Sequence, residues 1–315
     1  MRYLDPKADL TFKRVFGEHP DLVMSLLNAL LPLAPGQEVT EIEYLPVELV
    51  PDNPLRKNSI VDVRCRDCQG RVFLVEMQMI WSPEFKQRVL FNASKAYVRQ
   101  LNTGEEYELL QPVYSLNLVN DIFESDLAQE YYHYYRLVHV EHTDRVIEGL
   151  HLIFVELPKF TPHNYSEKKM QVLWLRYLTE INEHTREVPE ELLANPEVKK
   201  AVHALEESAF TDAQLAGYEK FWDIISVEKT LYNSAERRGM KKGLEEGRQE
   251  GRQEGLEEGR QEGRQEGRQE GRQEGLEEGM EKERLSNARR MKEKGLDPAL
   301  IADITGLTCE EIEKL

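Results

Sequence analysis

The stretch Ser59-Ile-Val-Asp-Val-Arg-Cys-Arg-Asp-Cys-Gln-Gly-Arg-Val-Phe-Leu-Val-Glu-Met-Gln78 decides how this chain is read. It holds two alternating runs, 59–66 and 71–79, the pattern of two strands. Between them Cys68-Gln69-Gly70 suits a three-residue hairpin loop, with glycine where a left-handed backbone is wanted. That register sets Asp67 opposite Arg71 and, further up, Asp62 opposite Glu76. The odd positions Val61, Val63, Cys65, Phe73, Val75, Met77 and Met79 then form one apolar face. The even positions Asp62, Arg64, Glu76 and Gln78 share the other, with Val72 and Leu74 nearer the turn. Two carboxylates opposite each other on a ladder lie about 4.5–5.5 Å apart at Cβ and repel. A divalent cation relieves the repulsion, and one or two carboxylates plus substrate phosphate suit Mg²⁺. Opposed acids also occur at sheet edges where water separates them, and a four-residue loop would break the register.

Outward from this hairpin, helix and strand patterns alternate. Residues 8–31 read as helix, with Phe12, Phe16, Leu22, Leu26 and Leu30 on compatible faces, stopped by Pro32 and Pro35. Residues 38–49 alternate as a strand and 84–102 are helical. A short buried strand spans 112–119, further strands span 131–140 and 150–157, and 166–238 are mostly helical. The order αβββαβ predicts an α/β or α+β domain over residues 1–238 with a mixed central sheet and later helical additions.

The composition narrows the partners. Lys+Arg is 41 against Asp+Glu 58, a formal net charge of -17. A uniformly basic nucleic-acid coat is excluded, because such proteins neutralise phosphates with a Lys/Arg excess; a local basic patch on an acidic body is not. Three cysteines cannot build a disulfide framework. No apolar run reaches the roughly 18–20 residues of a membrane helix, and nothing at the N-terminus resembles a signal peptide. The expectation is a soluble cytoplasmic protein with no membrane partner.

The sharpest break falls at Gly239. From there to Gly279 a glycine recurs every fourth residue, eleven in all, mostly in Gly-Arg-Gln-Glu units. Residues 239–283 carry a net charge of -5 and 284–315 are balanced, which leaves -12 on residues 1–238. Each glycine inside a helix costs about 0.8–1 kcal/mol against alanine. The period of four also sets Arg over Arg and Glu over Glu, so the charges do not compensate. This predicts a solvated spacer, disordered or marginally helical; the sharper alternative is a glycine-striped helix that orders against a second copy. Residues 284–315 read as a small module resembling a helix-turn-helix: Leu285, Ala288 and Met291 on one face, Pro298 opening a helix, Gly306 turning the chain, and Thr308 capping a last helix with Glu311 in the capping box. Glu310, Glu311 and Glu313 on that last helix would repel phosphate, which favours packing or protein interaction over DNA reading.

Asp62, then Glu76-Met77-Gln78 on the next strand, then an Arg-bearing helix, together resemble the PD-(D/E)XK nuclease superfamily and, more closely, the Rpn family of recombination-promoting nucleases and transposases. Matching stretches are Asp9-Leu-Thr-Phe-Lys-Arg-Val-Phe-Gly17, Leu27-Asn-Ala-Leu-Leu31, Val61-Asp62 with Val75-Glu-Met-Gln78, Arg88 through Tyr97 and Gln100 to Tyr107, and Glu156-Leu-Pro-Lys-Phe160. The glycine-rich tail also resembles tails of this family, and the likeness spans roughly residues 1–240. It implies a restriction-endonuclease-like fold and a Mg²⁺-dependent DNA endonuclease, with Mn²⁺ as a substitute, acting in recombination or DNA mobility. Asp62 and Glu76 would hold the metal, with the Met77 carbonyl and Glu48 as further ligands. The superfamily's third position is usually Lys. Here Gln78 stands there, able to orient a water but not to supply charge or act as a base. Lys57, Arg88 or Lys95 could bring a cation to the phosphate, and Lys13 and Arg14 on the first helix could touch DNA. Cutting both strands with a single-site domain implies a homodimer. The alternative is a catalytically weak nuclease fold serving as a binding or assembly module. A transposase with three acids on an RNase-H-like fold fits the Glu-X-Gln hairpin less well.

Other candidates are weaker. Cys65 and Cys68 form a CxxC without a second pair or nearby His ligands. His133, His139 and His142 lack an evident carboxylate partner. Tyr131, Tyr132, Tyr134 and Tyr135 could stack bases, but such runs more often cover a sheet.

Overall fold

The hairpin lies inside a six-stranded mixed sheet. In the computed structural model, which describes residues 2–49, 59–162 and 169–315, its strands are β1 (Ile42–Tyr44), β2 (Val63–Asp67), β3 (Val72–Gln78), β4 (Val113–Val119), β5 (Tyr132–Val138) and β6 (Val146–Glu156). They run in the order β1-β2-β3-β4-β6-β5. β1, β2 and β3 pair antiparallel, β3, β4 and β6 run parallel, and β5 returns antiparallel to β6. Together with the helices before and after the first three strands, this is the αβββαβ order of a restriction-endonuclease-like α/β fold.

The hairpin register follows the sequence. Val63 pairs with Val75 and Arg66 with Val72, and the Asp67 N–H donates to the Arg71 carbonyl at 3.1 Å. Gly70 closes the loop at φ +87°, a backbone open to glycine and costly for other residues. The ladder stops at Val63, one residue short of Asp62. There the chain leaves the strand, so Val61 joins the cluster around Leu74 and Ala93 instead of the face carrying Val63 and Cys65. This corrects the expected apolar face at one position.

Helices cover both faces. α1 (Asp9–Phe12) runs on into a π-helical turn, Lys13–Gly17, and α2 (Pro20–Leu30) follows a break at His19. One continuous helix over 8–31 is therefore not formed: Pro20 starts a new helix at its first turn, where its missing N–H costs nothing. The π turn leaves carbonyls for side chains, and Tyr44 Oη donates to the Phe16 carbonyl at 2.8 Å. Phe16, Leu26 and Leu27 pack with Val63, Phe73 and Val75 and with α4 (Lys169–Glu180), α5 (Glu190–Leu193) and α6 (Pro196–His203) on one face of the sheet. On the other face α3 (Glu84–Val98) buries Phe85, Val89, Asn92, Ala93 and Ala96. Spacings of three and four residues make one stripe of those positions, and a single polar side chain sits within it.

Two compact units divide the chain, Met1–Tyr232 and Asn233–Leu315. A helix α7 spans Asp212–Glu293 and carries the whole glycine repeat as helix. A Cβ added at any of its eleven repeat glycines would meet nothing within 4 Å. In the second unit α8 (Pro298–Thr305) and α9 (Cys309–Lys314) close a small core of Ala288, Ile301, Leu307 and Ile312. Gly306 turns at φ +69°, and the Thr308–Glu311 capping box forms in both directions. No helix among the described residues is long and apolar enough to cross a membrane.

Candidate active site

β3 alternates, so Glu76 projects on the same side as Val72 and Leu74, beneath α3. Its residue is 5% exposed. Asn92, the polar member of the α3 stripe, donates from Nδ2 to Glu76 Oε1 at 2.9 Å, and Ser59 Oγ donates to Asn92 Oδ1 at 2.5 Å. Arg88, one turn earlier on α3, holds a guanidinium nitrogen 3.5 Å from Glu76 Oε2. The carboxylate is thus fixed at one oxygen and only loosely countered at the other.

Asp62 stands at the end of the ladder. Its Oδ2 accepts the Met77 N–H at 2.7 Å. In a strand the N–H and C=O of one residue point to the same edge, so the Met77 carbonyl faces the Asp62 side. Lys13 Nζ lies 3.9 Å from Asp62 Oδ1 and 2.6 Å from Asp9. The π turn therefore brings a cation to the edge of the acid pair. Asp62, Glu76, Met77, Gln78 and Arg88 line one open cleft of about 470 Å³.

Burial dominates the electrostatics of both acids and pushes both carboxyls above their ordinary range. For Asp62 the Met77 N–H, Lys13 and Arg88 pull the other way, while Asp9 adds to the rise. For Glu76 Asn92 and Arg88 oppose burial and Asp62 reinforces it. The negative charge of Asp62 thus adds to the rise at Glu76.

Gln78 ends β3 with its amide engaged twice. Nε2 donates to the Ile80 carbonyl at 2.6 Å, and Oε1 accepts from Arg88 at 2.5 Å. An amide between a carbonyl and a guanidinium can face only this way, since guanidinium is donor-only. A positive charge is therefore attached to the Gln78 position, and it comes from α3.

Among the described residues, the other expected ones are not themselves in the lining of the acid cleft. Glu48 is exposed and sits at an isolated bridge to Ile60. Lys95 donates to the Leu49 carbonyl, away from the lining of the acid cleft. Arg14 lies over the Phe210 ring at 4.1 Å, an internal packing role. Lys57 lies outside the described residues. Among the described residues no group of three or more His, Cys, Asp and Glu side chains is gathered to hold a metal. Cys65 is buried, its thiol pushed up to about 12 by burial, while Cys68 is exposed on the hairpin loop. Tyr131, Tyr132 and Tyr134 pack against the main core, as a sheet cover.

The sequence reading missed two groups. Asn92 was detectable in principle as a polar residue in the apolar stripe of α3. The second is Glu156, fully buried at the end of β6. It accepts from His133 Nε2 at 2.9 Å, from the Phe123 and Glu124 N–H groups at 2.5 and 3.1 Å, and from Lys159. His133 thus has the carboxylate partner that the sequence did not reveal. Burial opposes ionisation of Glu156, but Lys159, the two backbone donors and His133 outweigh it and hold the carboxyl below its ordinary range. Lys159 Nζ also reaches the Glu124, Leu127 and Glu130 carbonyls. The Glu156-Leu-Pro-Lys159 motif is therefore a clamp on the 121–130 segment. Asp121 of that segment accepts the Trp81 N–H at 3.0 Å, and Phe123 stacks on Trp81 at 4.1 Å. The clamp thereby braces the turn that leads from Gln78 into α3.

A family model described as PD-(D/E)XK nuclease family transposase matches residues 6–227. No curated protein and no solved structure matches the chain. The matched span takes in the whole sheet, α3 and the acid cleft, and the chain belongs to the PD-(D/E)XK nuclease family of transposases.

Proposed function

We propose that this protein is a Mg²⁺-dependent DNA endonuclease, with Mn²⁺ as a working substitute, that cuts phosphodiesters in recombination or DNA mobility. The observation that carries this is the pairing of Asp62 and Glu76 in one cleft, at the positions that the resemblance implies for the metal-holding acids, with both carboxyls held above their ordinary range. The donors fit a hard cation: two carboxylates and the carbonyl edge of Met77 offer oxygen only, with water and phosphate completing the set. Glu48 is a further candidate ligand. Asp62 and Glu76 would hold the cation, which would supply Lewis-acid polarisation of the scissile phosphate and a lowered pKa for an attacking water.

The chain's own residues divide the remaining work. Asn92 orients Glu76. Gln78, tied between Ile80 and Arg88, positions the guanidinium, and Arg88 supplies the positive charge that an amide cannot. Lys13 adds a second cation at the Asp62 edge. Lys57 and Lys95 are the further candidates for bringing a cation to the phosphate. Cutting both strands with a single site per chain calls for two copies, so a homodimer is expected by light scattering.

A second reading, a nuclease fold kept as a binding or assembly module, draws on Gln78 in place of Lys and on the charge of -12 over residues 1–238. Supercoiled plasmid with Mg²⁺ or Mn²⁺ separates the two. The enzyme nicks or linearises it, and Asp62→Ala and Glu76→Ala each abolish cutting. A wild type that cuts under neither metal sinks the first reading and leaves the second.

A further inference from the structure

A second cleft, of about 450 Å³, adjoins the acid cleft and shares Ser59 and Arg88 with it. Its walls are chemically different. Phe85 and Phe91 of α3 give it aromatic surface, and Ser82 and Glu84 give it a polar rim. Phe85 is buried, whereas Phe91, one turn beyond Arg88, is 45% exposed. The Arg88 guanidinium lies over the Phe85 ring at 4.7 Å, so it forms the partition between the two clefts. A large aromatic exposed at the mouth of a cleft is unused by the hydrophobic core.

We infer that this cleft is a nucleobase subsite, so that the strand to be cut carries an unpaired nucleotide beside the phosphate held at Asp62 and Glu76. The inference rests on the nuclease reading above and extends it to the substrate. The two clefts suit the two halves of a nucleotide. Arg88 at the partition attracts phosphate. Glu84 on the rim repels phosphate, but a carboxylate there accepts hydrogen bonds from base N–H donors, the exocyclic amines of other bases or the N3–H of thymine. The Lys95 ammonium lies 5.4 Å from the Phe91 ring centroid, and a base would stack on the part of the ring that is left exposed, as any base can on an aromatic face. A base inside a duplex has both faces covered by its neighbours, so it cannot use such a wall without leaving the stack. The substrate class is therefore single-stranded DNA or a site where one nucleotide is extruded.

The test measures binding of the full chain in metal-free buffer with a chelator, so that no cutting intervenes, by fluorescence anisotropy. The probes are a labelled oligothymidylate strand and an abasic strand of equal length, which carry the same phosphate charge. The wild type is expected to bind the base-bearing strand about tenfold more tightly. Phe91→Ala should remove that gap by weakening oligothymidylate alone, and Phe91→Trp should retain it. Equal affinity of the wild type for both strands, equal weakening of both by Phe91→Ala, or no binding to either overturns the subsite. Plasmid cutting is scored separately, so failure of the nuclease reading is distinguishable from failure of the subsite.

Discussion

Glu76 and Glu156 are both buried acids at the carboxyl ends of parallel strands in the same sheet, and they are treated in opposite ways. In the ladder Gln78 lies opposite Val119 and Val119 opposite Glu156, so the two acids are separated by one intervening strand. Glu156 accepts from a lysine, a histidine and two backbone N–H groups, and its carboxyl is held low. Glu76 has one firm donor, Asn92, and a guanidinium at 3.5 Å, and its carboxyl is pushed up by burial. A buried charge is tolerated when its hydrogen bonds are complete and costly when they are not. The difference teaches which acid is structural. Glu156 is saturated and has no capacity for a ligand, whereas Glu76 keeps an oxygen for one.

The largest expected effect breaks the Glu156 side. Lys159→Met leaves that carboxylate without its main partner and should cost about 3–5 kcal/mol of stability, read as a lower urea midpoint. A loss below about 1 kcal/mol would mean the clamp behaves like a surface pair. Next, Asn92→Leu removes the donor that fixes Glu76. A hydrogen bond to a charged group contributes about 1.5–3 kcal/mol, so destabilisation of that size is expected, together with weaker Mn²⁺ binding in a direct titration.

The two acids should also respond oppositely to pH. Glu76 and Asp62 have raised folded-state values. Their contribution to stability is complete below the ordinary carboxylate range and is lost as pH rises through the raised values. Glu156 contributes above the ordinary range, and that contribution is lost as pH falls through its lowered value. Metal-free Glu76→Gln should therefore gain stability relative to the wild type as pH rises above the ordinary carboxylate range, and lose that advantage in acid. A variant that gains nothing on the wild type over that rise would contradict the assignment of Glu76 as strained. The smallest effect serves as a control outside both acids. Gly255→Ala in the repeat should stabilise helix locally by about 1 kcal/mol, raising helical circular dichroism while leaving the urea midpoint of the sheet unit unmoved.

Local signals were legible and distant ones were not. The hairpin register was readable because Gly70 fixes the loop and a two-residue period carries Asp62 to Glu76. The capping box at Thr308 was readable for the same reason, since both partners lie within four residues. The His133–Glu156 contact needs the β5–β6 pairing, whose register shifts between Arg136 and Leu137, and no local pattern encodes such a shift. Arg88 was readable as a cation on the right helix, but its grip on Gln78 depends on how α3 lies over β3. The glycine repeat runs the other way. Propensity argues against a helix there, with about 10 kcal/mol of glycine cost over eleven positions, yet α7 is continuous through it. Two exposed ion pairs, Lys242–Glu246 and Lys282–Glu278, lie along the repeat among the described residues, and pairs of this kind, at about 0.3–0.5 kcal/mol each, do not offset that cost.

The central claim is that Asp62 and Glu76 form a divalent-cation site. Calorimetric titration of Mn²⁺ into the full chain and into Glu76→Gln tests it most directly, because the variant keeps the side chain's size and should keep the fold. The account expects a single saturable ion per chain in the wild type, and none in Glu76→Gln at an unchanged far-ultraviolet spectrum. A wild type that takes up no ion, or a variant that binds as tightly, would contradict it.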